Sequence, residues 1–117
     1  MAEDWARPVV HWEIQALDAD KMAAFYGTLF NWDIGEGRVK TIPAGIGAPE
    51  PTINGHIRGS DASRVALYIQ VLKLEDTMAK ATELGGSVVR ERFQIATGPH
   101  MAWIDDPEGN RIVLVQQ

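Results

Sequence analysis

The chain has 117 residues, 45% hydrophobic and 23% charged, the size and make-up of one globular domain. Its net charge of −5, with Lys and Arg scattered, argues against a nucleic-acid-binding face, and no run of about 18 apolar residues offers a membrane-spanning helix. The absence of cysteine excludes disulfides, thiolate chemistry and cysteine-ligated zinc.

The first five residues, with Glu3, Asp4 and Trp5, lack the basic and apolar regions of a secretory signal, so a cytoplasmic location is expected. Trp5 has nothing local to bury it: it packs on a partner copy or is a loose end. Val9 to Ile14 alternates as a strand does. Val10, Trp12 and Ile14 form an apolar face for the core, and Val9, His11 and Glu13 a mixed face for a cleft or solvent. Asp18 is a helix N-cap with Asp20 in the first turn. Met22, Phe25, Tyr26, Leu29 and Phe30 recur at helical spacing and predict one buried stripe. Asn31 to Ile34 is expected to begin a strand, and Gly35-Glu36-Gly37 to turn into another over 38–42. Pro43 to Thr52 holds three prolines and two glycines and is a loop, either bordering a site or passive. Ile53 to Ile57 is a short strand, and Arg58 to Ser63 a linker.

The pattern then restarts. Val65 to Val71 is a strand with Leu67, Ile69 and Val71 on one face and Tyr68 and Gln70 on the other. A helix with Glu75 and Asp76 near its start runs through Met78, Ala81 and Leu84 and ends at Gly85-Gly86, since Gly takes the left-handed C′ conformation. Ser87 to Arg90 is a strand and Phe93 to Pro99 a loop. Two strands follow from His100, joined by a turn at Asp106-Pro107-Glu108-Gly109-Asn110, where Gly109 or Asn110 takes φ > 0. The chain thus reads as two β-α-β-β-β modules, about 8–58 and 64–117, in a single domain over 1–117. Tyr68 and Gln70 each fall 57 positions after His11 and Glu13.

The closing stretch A-W-I-D-D-P-E-G-N-R-I at 102–112 resembles the final hairpin of the vicinal oxygen chelate superfamily (glyoxalase I, bleomycin-resistance proteins, extradiol dioxygenases). "P-V-V-H-W-E-I" at 8–14, "A-F-Y-G-T-L-F-N-W" at 24–32, "L-Y-I-Q-V" at 67–71 and "A-T-E-L-G-G" at 81–86 are similar to it too. The resemblance covers nearly the whole chain. It implies an α+β fold of two tandem βαβββ modules whose mixed sheets curl around a cleft, and a homodimer.

In metal-using members the first and last strands of each module carry the ligands. By this resemblance His11 matches the first ligand, Tyr68 its counterpart in the second module, and Val113 the closing-strand Glu. His56, 57 positions before Val113, is the remaining candidate. Valine has no lone pair, and a tyrosine phenol with a reference pKa near ~10 is a poor ligand. What is left, His11 and His56 with Glu13, would suit Fe, Mn, Zn or Ni.

The preferred function is therefore binding of a small hydrophobic or aromatic molecule without the full metal site. Val113, Val115 and Tyr68 would floor the cleft, with Gln70, Glu13 and His11 as polar anchors and His100 at the rim. Glu13 and Gln70 could equally be structural partners, and Trp12, Trp32 and Trp103 are expected in the core. The alternative is a divalent-metal lyase or dioxygenase acting on vicinal oxygens. A third reading is metal-independent acid–base catalysis by His11 and Glu13. The expected partners are a small-molecule ligand and a second copy, with neither nucleic acid nor membrane.

Overall fold

The computed structural model describes residues 6–44 and 52–117. Trp5 and most of the Pro43–Thr52 loop lie outside the described residues. The elements run β1 (Val9–Ala16), α1 (Ala19–Phe30), β2 (Val39–Ile42), β3 (Gly55–Gly59), β4 (Arg64–Val71), α2 (Leu74–Glu83), β5 (Ser87–Gln94), β6 (His100–Asp105) and β7 (Arg111–Gln116). This is the expected α+β class. The chain divides into two compact units, one of His11–Ala66 and one of Leu67–Gln117 with the N-terminal residues through Val10.

In the first unit β3 lies between β2 and β1. It runs parallel to β1, with Glu13 opposite His56, and antiparallel to β2, with Thr41 opposite the same His56. Alternation sorts the side chains. Ala16, Ile42 and Ile57 are buried under α1, with Trp12 and Ile14 packed against them. Gly55 stands between Trp12 and Ile42, and a Cβ there would strike the Trp12 indole, so this close approach requires glycine. Asp18 caps α1 by accepting from the Lys21 N–H at 3.1 Å.

The stripe that α1 turns inward is Ala19, Met22, Ala23 and Tyr26. The expected stripe is corrected on this point: Phe25, Leu29 and Phe30 are each more than half exposed. The two alanines let the helix lie close to the sheet. The aromatics meet one another instead, with Tyr26 stacked on Trp32 at 5.7 Å and Phe30 tilted against it at 5.3 Å. The strand expected over Asn31–Ile34 does not form either. Asn31 takes the left-handed conformation (φ 57°) as the C-cap of α1, which breaks extension at its first residue. Trp32 and Ile34 then pack onto the core beneath the helix.

In the second unit the order is β4, β7, β6, β5, with β4 parallel to β7 and the other pairs antiparallel. Val71, Leu74, Met78, Ala102 and Leu114 are buried under α2, joined by Ile69, Val88, Ile104 and Ile112. Gly85, at φ 100°, ends α2 as expected. Strand β5 continues through Phe93 and Gln94, which the sequence reading assigned to a loop. The β6–β7 turn is held by Asp106, whose Oδ1 accepts from the N–H groups of Glu108 and Asn110 at 2.9 Å each, while Gly109 supplies φ 89°.

Candidate functional site

The face of the first unit turned away from α1 is polar. On β1 it carries His11, Glu13 and Gln15, and on β3 His56 and Arg58, all at alternate positions. Glu13 is 1% exposed. A carboxylate taken so far from water must be paired. Gln15 Nε2 donates to its Oε1 at 2.8 Å, while His56 Nε2 and Arg58 Nε reach its Oε2 at 2.8 and 2.5 Å. Burial alone would raise the Glu13 carboxyl, but the hydrogen bonds from His56, Gln15 and Arg58 and the Arg58 charge outweigh it and hold it at about 2.

The ionised carboxylate fixes the histidines in turn. It can only accept, so His56 Nε2 carries the proton it donates. In the neutral ring His56 Nδ1 is then an acceptor, and it faces His11 Nε2 at 2.7 Å. The two imidazoles lie stacked with centroids 4.9 Å apart. Burial and the neighbouring His56 lower the His11 pKa, against the opposing pull of Asn54 and Glu13. His11 is therefore neutral at pH 7, backed by an imidazole and then a carboxylate. Such a chain can take up a proton at His11 and spread the charge toward Glu13.

Both nitrogens of His56 are engaged, one by His11 and one by Glu13, and both Glu13 oxygens are occupied, one by a guanidinium. Among the described residues, no group of three or more His, Cys, Asp or Glu could hold a metal ion.

The corresponding face of the second unit is apolar and aromatic. Tyr68 pairs with Val113, and Val113 with Trp103, so these three stand in one row. Gln70, Val115, Met101 and Phe93 make the next. Val113 is buried at 1%, and the other six are partly exposed. Trp103 meets Phe93 edge to face at 5.7 Å, and the Arg90 guanidinium lies 3.6 Å over the Phe93 ring.

The expected site residues are thus distributed over three faces. His11, Glu13 and His56 come together in the first unit, and Tyr68, Gln70 and Val113 in the second. His100 joins neither group: three residues before Trp103 on β6, it falls on the α2 side, and its buried Nδ1 has no hydrogen-bond partner among the described residues. Glu13 bonds to His56, Gln15 and Arg58 within its own unit. Trp12 and Trp32 join the core, whereas Trp103 lies on the face opposite α2. Val113 pairs with Tyr68, but His56 pairs with Glu13 and not with His11, an offset of two residues that leaves His56 on the same face. Sequence reasoning missed Gln15 and Arg58 as functional partners. The signal was alternation, since each stands two residues beyond Glu13 or His56.

Residues 11–115 match the family described as a glyoxalase-like domain, and the chain belongs to that family. No curated protein matches the sequence. Similar structures include a glyoxalase/bleomycin resistance protein/dioxygenase superfamily member from Vibrio splendidus 12B01, at 13% identity over 96% of this chain and 100% of that one, TM-score 0.65. Streptomyces coelicolor methylmalonyl-CoA epimerase is similar at 12% identity over 94% of each chain, TM-score 0.60. An extradiol ring-cleaving dioxygenase from B. fuscum is similar at 15% identity over 93% of this chain and 32% of that one, TM-score 0.63. At these identities the likeness is one of fold.

Glu13 makes stability depend on pH. Its folded-state pKa is depressed, so its contribution is complete above the ordinary carboxyl pKa of about 4.5 and is lost as pH falls from there toward about 2. Denaturant unfolding of wild type and Glu13→Gln across this range checks it. The wild-type advantage, on the order of 3 kcal/mol near neutrality, should shrink steadily below about pH 4.5.

Proposed function

We propose that this protein binds a small hydrophobic or aromatic organic molecule, and that it does so without a metal centre. The observation that carries this is the second unit's face opposite α2. Tyr68, Phe93, Met101, Trp103 and Val115 lie side by side there, partly exposed, with Gln70 as a polar anchor. Aromatic side chains placed this way offer a flat ligand both stacking area and edge contacts. Buried Val113, in the row between Tyr68 and Trp103, keeps the centre of the face apolar. The similar structures include proteins whose names specify organic substrates, a methylmalonyl-CoA epimerase and a ring-cleaving dioxygenase, which is consistent with this reading.

The test is an amide-resolved NMR titration with naphthalene as the probe. Saturable shifts are expected at Tyr68, Met101, Trp103 and Val115, and Trp103→Ala should weaken binding by about tenfold, the loss of one aromatic contact with its buried area. Saturable binding confined to other surfaces would overturn the assignment, as would equal affinity in Trp103→Ala.

The hydrogen-bonded chain from His11 to Glu13 supports a second reading, in which His11 is a general base for metal-independent proton transfer. The Glu13 charge raises the His11 pKa against the downward effects of burial and His56. Glu13→Gln should therefore lower the His11 titration midpoint further, as followed by the ring-proton shifts. An unchanged or higher midpoint would contradict the relay.

A further inference from the structure

The first unit contains a second feature, which shares only Gln15 with the polar network and nothing with the aromatic face. A cavity of about 330 Å³ opens beside the start of α1, between the end of β1 and the start of β4. This lies at the lower end of the ~300–1,000 Å³ typical of small-molecule pockets. Ile14, Ala16 and Met22 supply apolar lining, and Tyr26 an aromatic wall. Leu17 and Val65 also line it and are 71% and 61% exposed, so the apolar surface continues outward.

Its charged residues are unbalanced. Lys21 and Arg64 both line the cavity. Asp18, the acid among the lining residues, is turned to the Lys21 backbone N–H as the helix cap. Neither the Lys21 ammonium nor the Arg64 guanidinium has an acidic partner among the described residues, although Arg64 is half-buried. The Ser63 hydroxyl on the same lining adds a neutral donor.

We propose that this cavity binds a small amphiphile with a carboxylate head and a short apolar tail. Lys21 and Arg64 take the head, and the surface made by Ile14, Met22 and Val65 takes the tail. Arg64 suits the head best, because its planar fork matches the two oxygens of a carboxylate.

The experiment uses the full chain, isotope-labelled, titrated with sodium octanoate and separately with octylammonium. Octanoate should give saturable amide shifts at Ala16, Leu17, Lys21 and Val65, while octylammonium, with the same tail and the opposite charge, should give none there. Arg64→Gln with Lys21→Gln should weaken octanoate binding by about tenfold or more, the effect of losing charged hydrogen bonds. Equal binding of the two probes in wild type would overturn the proposal without recourse to any variant. So would octanoate shifts confined to Tyr68, Met101 and Trp103, or unweakened binding in the double variant. Naphthalene binding at the aromatic face is read from different residues, so either result can fail without the other.

Discussion

The first unit depends on one buried anion. The Glu13 carboxylate is almost wholly withdrawn from water, and that withdrawal is tolerable because Gln15, His56 and Arg58 together supply its donors. Removing one partner from such a group typically costs about 3–5 kcal/mol, since the charge stays behind unpaired. The constraint reaches the backbone. His56 lies opposite Glu13 and Arg58 opposite Gln15, so the parallel register of β1 and β3 is fixed by polar pairs on one face and by Trp12 over Gly55 on the other. A slip of one residue would put the carboxylate into the core beneath α1. It also reaches the chemistry, because the proton on His56 decides which nitrogen His11 meets.

The two units apply the same plan to different ends. Each packs a helix on one sheet face and leaves the other to carry side chains of its choosing. In the first unit that face is polar, with Glu13 paired to Gln15, His56 and Arg58; in the second it is aromatic and aliphatic. Tyr68 and Val113, paired across β4 and β7, take positions that, by the resemblance, would hold ligands in a metal-using relative, and the proposed apolar guest would meet a phenol beside a valine there. Membership of the glyoxalase-like family fixes the scaffold and leaves the reaction open, since chemistry resides in the side chains placed on it.

Much of this was legible in the sequence because the signals were local. The alternation of Trp12 and Ile14 against His11 and Glu13, the Asp18 cap, the glycine stop at Gly85 and the Asp106–Asn110 turn are each decided by a few neighbouring residues. The failures are of another kind. Phe25, Leu29 and Phe30 have helical spacing, but the choice of inward stripe fell to the small residues Ala19 and Ala23, which depends on what the helix packs against. Asn31 looked like the start of a strand and became a left-handed cap. The pairing of His56 with Glu13 is a matter of register between distant strands, which no local signal fixes. The Arg58–Glu13 pair spans 45 positions and has no local signature.

The central proposal is that His56 and Glu13 are committed to each other and not to a cation. It is tested most directly by nitrogen-resolved NMR of the histidine rings during titration with zinc, manganese or nickel ions. The account predicts that His56 keeps its proton on Nε2 throughout and that neither ring responds at one equivalent of metal. Loss of that proton, with His11 and His56 shifting or broadening together at one equivalent, would contradict it.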